Sequence, residues 1–598
     1  MNAPFIHGTN GGRALPIAPV HIHMKRITYR PLVVALGIAA TAATSLLGQP
    51  TSRDQAPPFS VAEASMTDLR LALEQGRTTS REIVTQYLTR IAMYEDKLHA
   101  AITVNPRALL IADSLDRERA AGRIRGPMHG IPVALKDNIH TTDMRTTGGA
   151  LAFADLVPPY EATLTRNLEA AGAIILAKAQ LTELANWVTA GMPGNYNGLN
   201  GYGFNPWDPR RDPRDGLFDG RPVMSTGGSS SGAGTNVSFW AANVGTETSG
   251  SILSPSNQNM LVGIKPTVGR VSRYGVIPIT ADQDTPGPMA RSVTDAAIFL
   301  GAMESATPDP NDAATRKCTP PDNRDYTKFL NAAGLKGARV GIPRAFFYET
   351  TAAGGTAPGG GLTAEQRAIM NDVIAVIKAQ GAIVVDPVNI PSITATDPNE
   401  NLLNWSPCSG LDNGKGRDAS CTVAFKYGMK RDFNAWLHSL GTKAPVKTLT
   451  ELRQWNIAHQ AAGAIKYGQQ NLDISDEMDT IADKARYEAD RRKDIRLSTT
   501  NGLDAALGAG RLDALLFPGV TSANIAARAG YPTVTVPYGF VPVPEGTGAG
   551  AFPAGFNPKP VPFNVSFTGT ACSEPRLIEL AFAFEQATKK RRAPPQFP

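Results

Sequence analysis

Two serine clusters on glycine-rich turns carry residues that could perform nucleophilic chemistry. Residues 227–232 read Gly-Gly-Ser-Ser-Ser-Gly, and residues 245–252 read Gly-Thr-Glu-Thr-Ser-Gly-Ser-Ile. Glycine adopts backbone angles that other residues avoid, so successive amide N–H groups can point toward one place. A hydroxyl nucleophile needs such donors to stabilise the oxyanion that forms when it attacks a carbonyl group.

The segment between the two clusters argues against the simplest alternative. Stretches of glycine and serine are most often flexible linkers or turns. Residues 237–242 read Val-Ser-Phe-Trp-Ala-Ala, which is typical of a buried element. The two clusters are therefore predicted to bracket one apolar element of the folded core.

A lysine at the end of an apolar run supplies a candidate base. Residues 130–138 read Gly-Ile-Pro-Val-Ala-Leu-Lys-Asp-Asn. A single lysine at a strand end is more often a surface charge, but burial lowers the pKa of a lysine and makes it a usable general base. Together with the serine clusters, Lys136 predicts a serine nucleophile activated by a lysine.

These segments resemble the amidase signature family of serine hydrolases. The resemblance is carried, in the family's order, by residues 130–138, 227–234, 245–256, 263–272, 284–291 and 573–575. It covers nearly all of the chain beyond residue 58. The Glu-Thr-Ser-Gly-Ser form of the second cluster is most similar to that of exported bacterial members of the peptide-amidase type.

The resemblance implies a role for each residue of the site. Ser251 corresponds to the nucleophile, Lys136 to its base, and Ser229 to the bridging serine, which follows a cis peptide bond in the family. The expected oxyanion hole consists of backbone N–H groups, and neighbouring side chains orient it. Those N–H groups belong to Thr248, Ser249, Gly250 and Ser251, and the orienting residues are Thr246, Glu247 and Ser230.

The chain departs from the family pattern at two places. The family usually has glycine where Ser249 stands, and the segment between the serine clusters is about two residues shorter than usual. The shortening leaves Ser229, Ser230 and Ser231 open as the bridging serine. We favour Ser229 because it follows Gly227-Gly228 directly.

The helices and strands that hold these residues are predicted to form an α/β protein. The resemblance implies one large domain over residues 58–598, with a large central mixed sheet and helices on both faces. The pattern itself predicts helix followed by strand, with a capping box at Thr79-Ser80-Arg81-Glu82. Predicted helices start at 79, 161 and 363, and predicted strands cover 173–177, 382–385, 512–517 and 533–536.

The N-terminal residues have the composition of an export signal. Residues 1–48 lack Asp and Glu, and Lys25, Arg26 and Arg30 precede an apolar stretch at 32–47. We predict a signal peptide that is removed, an exported protein, and no membrane contact after cleavage. With Arg13, that segment carries four positive charges, so its removal lowers the net charge from +6 to +2 and argues against nucleic-acid partners.

Four cysteines suit an exported protein. Cys408 and Cys421 bracket a polar loop and could form a local disulfide, but the full connectivity is not readable from the sequence. No Cys/His spacing suggests a metal site, and the resemblance implies no cofactor. Of the histidines beyond the predicted leader, none lies in the setting of a Ser-His-Asp nucleophile.

The predicted activity is hydrolysis of the carbon–nitrogen bond of small or peptide amides, with ester or carbamate bonds as further candidates. Residues 400–500 are predicted to be helical and to shape the substrate pocket. Two alternatives remain: the ammonia-producing subunit of a tRNA-dependent amidotransferase, and a non-catalytic binding protein on the same scaffold. The oligomeric expectation is a monomer or homodimer.

Overall fold

An eleven-stranded mixed sheet organises the part of the chain that the structure describes. In this computed structural model, that part is residues 59–598 without 215, 218, 353, 355–357 and 547–549. The predicted signal peptide lies outside these residues. The strand order is β1-β3-β2-β6-β8-β7-β14-β15-β13-β9-β12. The strands are β1 (Ala101–Val104), β2 (Pro132–Lys136), β3 (Ile174–Ala179), β4 (Tyr196–Asn197), β5 (Gly201–Tyr202), β6 (Ala242–Glu247), β7 (Val262–Lys265), β8 (Thr285–Ala290), β9 (Arg339–Gly341), β10 (Thr350–Thr351), β11 (Gly359–Gly360), β12 (Ile383–Val385), β13 (Ala514–Pro518), β14 (Thr533–Val541) and β15 (Val561–Thr568).

Helices flank this sheet, as expected for an α/β domain. They are α1 (Met66–Glu74), α2 (Ser80–Leu98), α3 (Ala108–Ala120), α4 (Thr163–Ala170), α5 (Ala233–Asn236), α6 (Leu253–Gln258), α7 (Val293–Met303), α8 (Ala364–Ala379), α9 (Pro391–Thr394), α10 (Ala424–Gly428), α11 (Asn434–Ser439), α12 (Leu449–Ala458), α13 (Gln470–Asp476), α14 (Lys484–Ser498), α15 (Asp504–Gly510), α16 (Ala523–Ala529) and α17 (Glu574–Thr588). No described helix is both long and apolar enough to span a bilayer.

Parallel pairing of β2 with β6 brings Lys136 next to the strand that leads into the second serine cluster. Strand β2 pairs in parallel with both β3 and β6, with Leu135 opposite Val244. Because carboxyl ends of parallel strands meet at the same sheet edge, Lys136 and Thr246 become neighbours. The antiparallel pairing of β6 with β8 then places Thr285 opposite Glu247.

Local signals correctly predicted several elements. Helix α2 begins with the Thr79 capping box and buries Ile83, Val84 and Tyr87. Strand β14 is longer than the predicted 533–536, because it continues past Pro537 and a register shift before Gly539 while paired with β15. Proline and glycine conceal that continuation in the sequence.

The domain contains one local and one long-range disulfide among its described residues. Cys408 bonds Cys421, which confirms the local pairing, and Cys318 bonds Cys572 across 254 residues. The first closes a loop in the 400–500 region, where helices α10 to α14 alternate with short 3-10 and π turns.

Candidate active site

Lys136 is the last residue of β2, and its side chain is fully buried. Its Nζ lies 2.7 Å from Ser229 Oγ, 3.0 Å from Thr246 Oγ1 and 3.1 Å from Thr246 O. Burial lowers the pKa of Lys136 from 10.5 to about 7, while the charges of Asp284 and Glu247 act to raise it. With no carboxylate of the described residues in ion-pairing contact, Lys136 can be neutral near pH 7.

The first serine cluster separates its three hydroxyl groups into different environments. Ser229 follows a cis peptide bond from Gly228 and contacts Lys136. Ser230 Oγ instead donates to Thr246 O at 3.2 Å and accepts from Thr246 N at 3.1 Å. Ser231 Oγ is buried without a hydrogen-bond partner among the described residues. Of these three serines, Ser229 is therefore the one that lies next to the lysine.

The backbone of this cluster is packed too closely for larger residues. Gly227 has a φ of +74°, and a Cβ there would lie 2.6 Å from backbone atoms of Pro255 at the start of α6. Glycine at 227 thus serves both the backbone angle and the close approach of the two serine clusters.

The second cluster forms the turn between β6 and α6. Glu247 Oε2 accepts the N–H groups of Ile252 and Leu253 at 2.7 and 3.0 Å, which fixes the turn from inside. Gly250 has a φ of +84° and Ser251 is 8% exposed. Ser230 N donates to Ser251 O at 3.1 Å, so the two clusters are joined through the backbone.

The Ser251 hydroxyl forms no hydrogen bond with Ser229, Lys136 or any other residue that the structure describes. The N–H groups of residues 248–251 likewise have no acceptor within that part of the chain. The structure therefore brings Lys136 and Ser229 into direct contact and places Ser251 on the adjoining turn with an unengaged hydroxyl.

Three residues without a predicted role belong to the same site. Asn138 Nδ2 donates to Thr246 Oγ1 at 3.0 Å. Gln283 Nε2 donates to Thr248 O at 3.0 Å, and Thr248 Oγ1 donates to Asp284 Oδ1 at 2.5 Å. Asp284 is the first residue of one of the segments that carry the family resemblance. No other feature of the sequence indicated that it belongs to the site.

No histidine of the described part of the chain hydrogen-bonds to Lys136, Ser229 or Ser251. His140 accepts a hydrogen bond from Trp436 Nε1 at 2.9 Å at its Nε2. Burial, with the nearby Lys178 charge, lowers the pKa of His140 to about 3, so the ring stays neutral. In addition, the described residues contain no group of three or more His, Cys, Asp or Glu that could hold a metal ion.

Residues of the 400–500 region line a cavity together with Asp284 of the site. This cavity of about 310 Å³ is lined by Asp284, Tyr274 and Trp436, among others. Trp405, in contrast, is buried and donates to Asp494 at 3.0 Å. The aromatic residues of this region therefore divide between cavity wall and core.

Comparison with known proteins decides the family. The Amidase family model matches residues 82–578. The chain belongs to the amidase signature family. A probable amidase of Arabidopsis thaliana is 33% identical over 545 residues, which cover 90% of this chain and 92% of that protein. The crystal structure of the native peptide amidase from Stenotrophomonas maltophilia matches with a TM-score of 0.74 and 34% identity, covering 90% of this chain and 99% of that one.

A second kind of relative is a glutamyl-tRNA(Gln) amidotransferase subunit of Thermosynechococcus vestitus. It is 30% identical over 549 residues, which cover 88% of this chain and 99% of that protein. The amidase signature family and its mixed-sheet fold are thus confirmed, and the chain is an amidase-family enzyme that acts on amides.

Proposed function

We propose that this amidase signature enzyme hydrolyses the carbon–nitrogen bond of small-molecule or peptide amides through a Ser251–Ser229–Lys136 triad and an acyl-enzyme intermediate. The observation that carries the proposal is the 2.7 Å contact between Lys136 Nζ and Ser229 Oγ in a fully buried site. A buried lysine bonded to hydroxyl and carbonyl oxygens has the environment of a neutral base.

The contacts of Lys136 suit a proton relay. A neutral amine has two N–H groups and one lone pair. The carbonyl and hydroxyl oxygens of Thr246 accept the two N–H groups, and the lone pair is then directed at the Ser229 hydroxyl. Ser229 can give its proton to Lys136 while it accepts the proton of Ser251, which lies on the adjoining turn.

Amide hydrolysis then follows in two stages. Ser251 Oγ attacks the carbonyl carbon as its proton passes through Ser229 to Lys136, and the oxyanion is stabilised by the N–H groups of residues 248–251. The relay returns the proton to the leaving nitrogen, the C–N bond breaks, and the acyl group remains on Ser251. Water attacks this ester by the same route and releases the acid.

The proposed substrates are amides outside the cytoplasm. Support comes from the similarity to the Stenotrophomonas protein, which is a peptide amidase, and from the signal-like residues 1–48. Ester and carbamate bonds offer the same carbonyl to Ser251 and are proposed as further substrates. The protein is proposed to work as a monomer or homodimer without nucleic acid or membrane.

A glutaminase component of an amidotransferase is the second candidate, favoured by the 30% identity to the Thermosynechococcus protein. It predicts glutamine hydrolysis that rises when a partner protein is added. Turnover of simple amides by the isolated chain, with no preference for glutamine, would contradict it.

Covalent labelling of Ser251 tests the proposal. The protein is incubated with phenylmethanesulfonyl fluoride, and the adduct is located by peptide mapping and mass spectrometry. We expect labelling at Ser251 in the wild type, none in Ser251→Ala, slow labelling in Lys136→Met, and normal labelling in the control Ser254→Ala. Labelling elsewhere, or amide turnover by Ser251→Ala at the wild-type rate, would exclude Ser251 as the nucleophile.

A further inference from the structure

The loop before β8 holds the nucleophile turn at Thr248 from two sides. Gln283 Nε2 donates to the carbonyl oxygen of Thr248 at 3.0 Å, and the Thr248 hydroxyl donates to Asp284 Oδ1 at 2.5 Å. The exposed fractions are 2% for Gln283, 8% for Asp284 and 5% for Thr248. Both hydrogen bonds are therefore shielded from competing water.

The bond from Gln283 fixes one peptide plane of the turn. The carbonyl of Thr248 and the N–H of Ser249 belong to the same planar trans unit and point in opposite directions. Because Gln283 holds the carbonyl on one side, the Ser249 N–H is directed to the other side. That N–H is one of the donors assigned to the oxyanion.

The loop that supplies Gln283 and Asp284 is itself anchored. Asp284 Oδ2 accepts the backbone N–H groups of Ile279 and Thr280 at 2.9 and 3.0 Å. Two residues earlier in the sequence, Asp282 accepts a hydrogen bond from Tyr487 OH at 2.8 Å. Asp284 thus joins a fixed loop to the turn that carries Ser251.

We propose that Gln283 and Asp284 are positioning residues, which hold Thr248 so that the N–H groups of residues 248–251 stay directed at the oxyanion. The inference rests on the proposed function of Ser251. Neither side chain hydrogen-bonds to Lys136, Ser229 or Ser251. They act through Thr248, so their loss lowers the rate of the bond-breaking step more than it weakens substrate binding.

The hydrogen bonds of Gln283 and Asp284 with Thr248 are together called the clamp, and the charge of Asp284 has a separate measurable effect. The charges that face Lys136 are those of Asp284 and Glu247, and those that face Asp284 include Arg273 and Asp432. A negative Asp284 favours the charged form of Lys136. Removing that charge lowers the pKa of Lys136, so the acidic limb of the rate profile moves to lower pH. This shift reports the charge of Asp284, whereas the change in kcat at constant KM reports the hydrogen bonds to Thr248.

Paired substitutions at Thr248 test the clamp. Thr248→Val removes the hydroxyl at nearly constant shape, and Thr248→Ser keeps it. We expect Thr248→Val to lower kcat for a simple amide by ~10- to 100-fold with little change in KM, somewhat less than the loss of an oxyanion donor itself. Thr248→Ser should restore most of the rate, and Thr85→Val, the same change on the exposed face of α2, should not alter it.

Two further variants keep the test decisive. Gln283→Met should lower kcat in the same way, and it replaces Thr248→Val if that variant does not fold. Asp284→Asn should move the acidic limb to lower pH. Wild-type kcat in Thr248→Val or Gln283→Met, or equal losses in the Val and Ser variants, would overturn the clamp.

Labelling separates this inference from the proposed function. If phenylmethanesulfonyl fluoride does not label Ser251 in the wild type, the proposed function fails and the clamp fails with it. If Ser251 is labelled and Thr248→Val retains wild-type kcat, the clamp alone fails.

Discussion

Two buried lysines on neighbouring strands have opposite surroundings. Lys136 ends β2, and Lys178 lies on β3, where it is paired with Leu135 in the parallel register. Both are fully buried. Lys178 Nζ lies 3.1 Å from Asp137 Oδ1 and donates to Arg145 O at 3.0 Å and to Thr146 Oγ1 at 2.7 Å. Within the described residues, Lys136 Nζ hydrogen-bonds only to hydroxyl and carbonyl oxygens.

The different surroundings give these two buried lysines different roles. Burial lowers the pKa of both side chains, but the carboxylate of Asp137 opposes this effect at Lys178. At Lys136 the opposing charges of Asp284 and Glu247 make no direct contact, and its pKa falls to about 7. An ion-paired lysine supports structure, whereas an unpaired lysine beside a serine can exchange a proton.

The largest expected effect is the loss of amide turnover in Lys136→Met. Methionine fills similar space but cannot accept a proton, and a general base contributes roughly 100- to 10,000-fold to a rate. We expect kcat/KM to fall by ~1000-fold in a steady-state assay, with the thermal midpoint of unfolding near that of wild type. A variant that unfolds at low temperature would mean that Lys136, like Lys178, is structural.

Lys178→Met should show the reverse pattern. It leaves the Asp137 carboxylate buried without its cation, which costs about 3–5 kcal/mol of folding free energy. Urea unfolding measures this loss, and the double variant Lys178→Met/Asp137→Asn should recover part of it. The folded fraction should keep kcat/KM close to wild type, and a large fall in that constant would assign Lys178 to the catalytic relay.

A third buried lysine sharpens the comparison. Lys265 Nζ donates to Tyr531 O at 2.5 Å and Ala526 O at 3.3 Å, and burial lowers its pKa to about 8. It lacks a serine partner among the described residues, so a lowered pKa by itself should give no catalytic role. We expect Lys265→Met to cost about 1–3 kcal/mol in urea unfolding through two unpaired carbonyls. Its kcat/KM should be unchanged, and a marked loss would contradict this reasoning.

Sequence reasoning was strongest where one short segment carries the signal. The family was predicted from contiguous motifs, which include the apolar run that ends at Lys136, and the mixed sheet was implied by that resemblance. The clamp was not, because it depends on the antiparallel register that pairs Glu247 with Thr285 and so brings Asp284 beside Thr248. Hydrogen bonds between strands of different segments leave no local pattern, and the same holds for the ion pair of Lys178 with Asp137.

The pH dependence separates Lys136 from Lys178 without any substitution. If neutral Lys136 is the base, kcat/KM should rise tenfold per pH unit below about 7 and level off above it. The free energy of unfolding should also rise with pH. The pKa of Lys136 falls from 10.5 to about 7 on folding, so between these two pH values the unfolded chain binds more protons than the folded chain. This contribution to the free energy of unfolding is complete above pH 10.5 and is lost as the pH falls to about 7.

Asp284, whose pKa burial raises to about 7, titrates in the same pH range as Lys136, so the pH profile of Asp284→Asn is the matched measurement. A profile flat from pH 5 to about 8 would mean that Lys136 is as inert as Lys178.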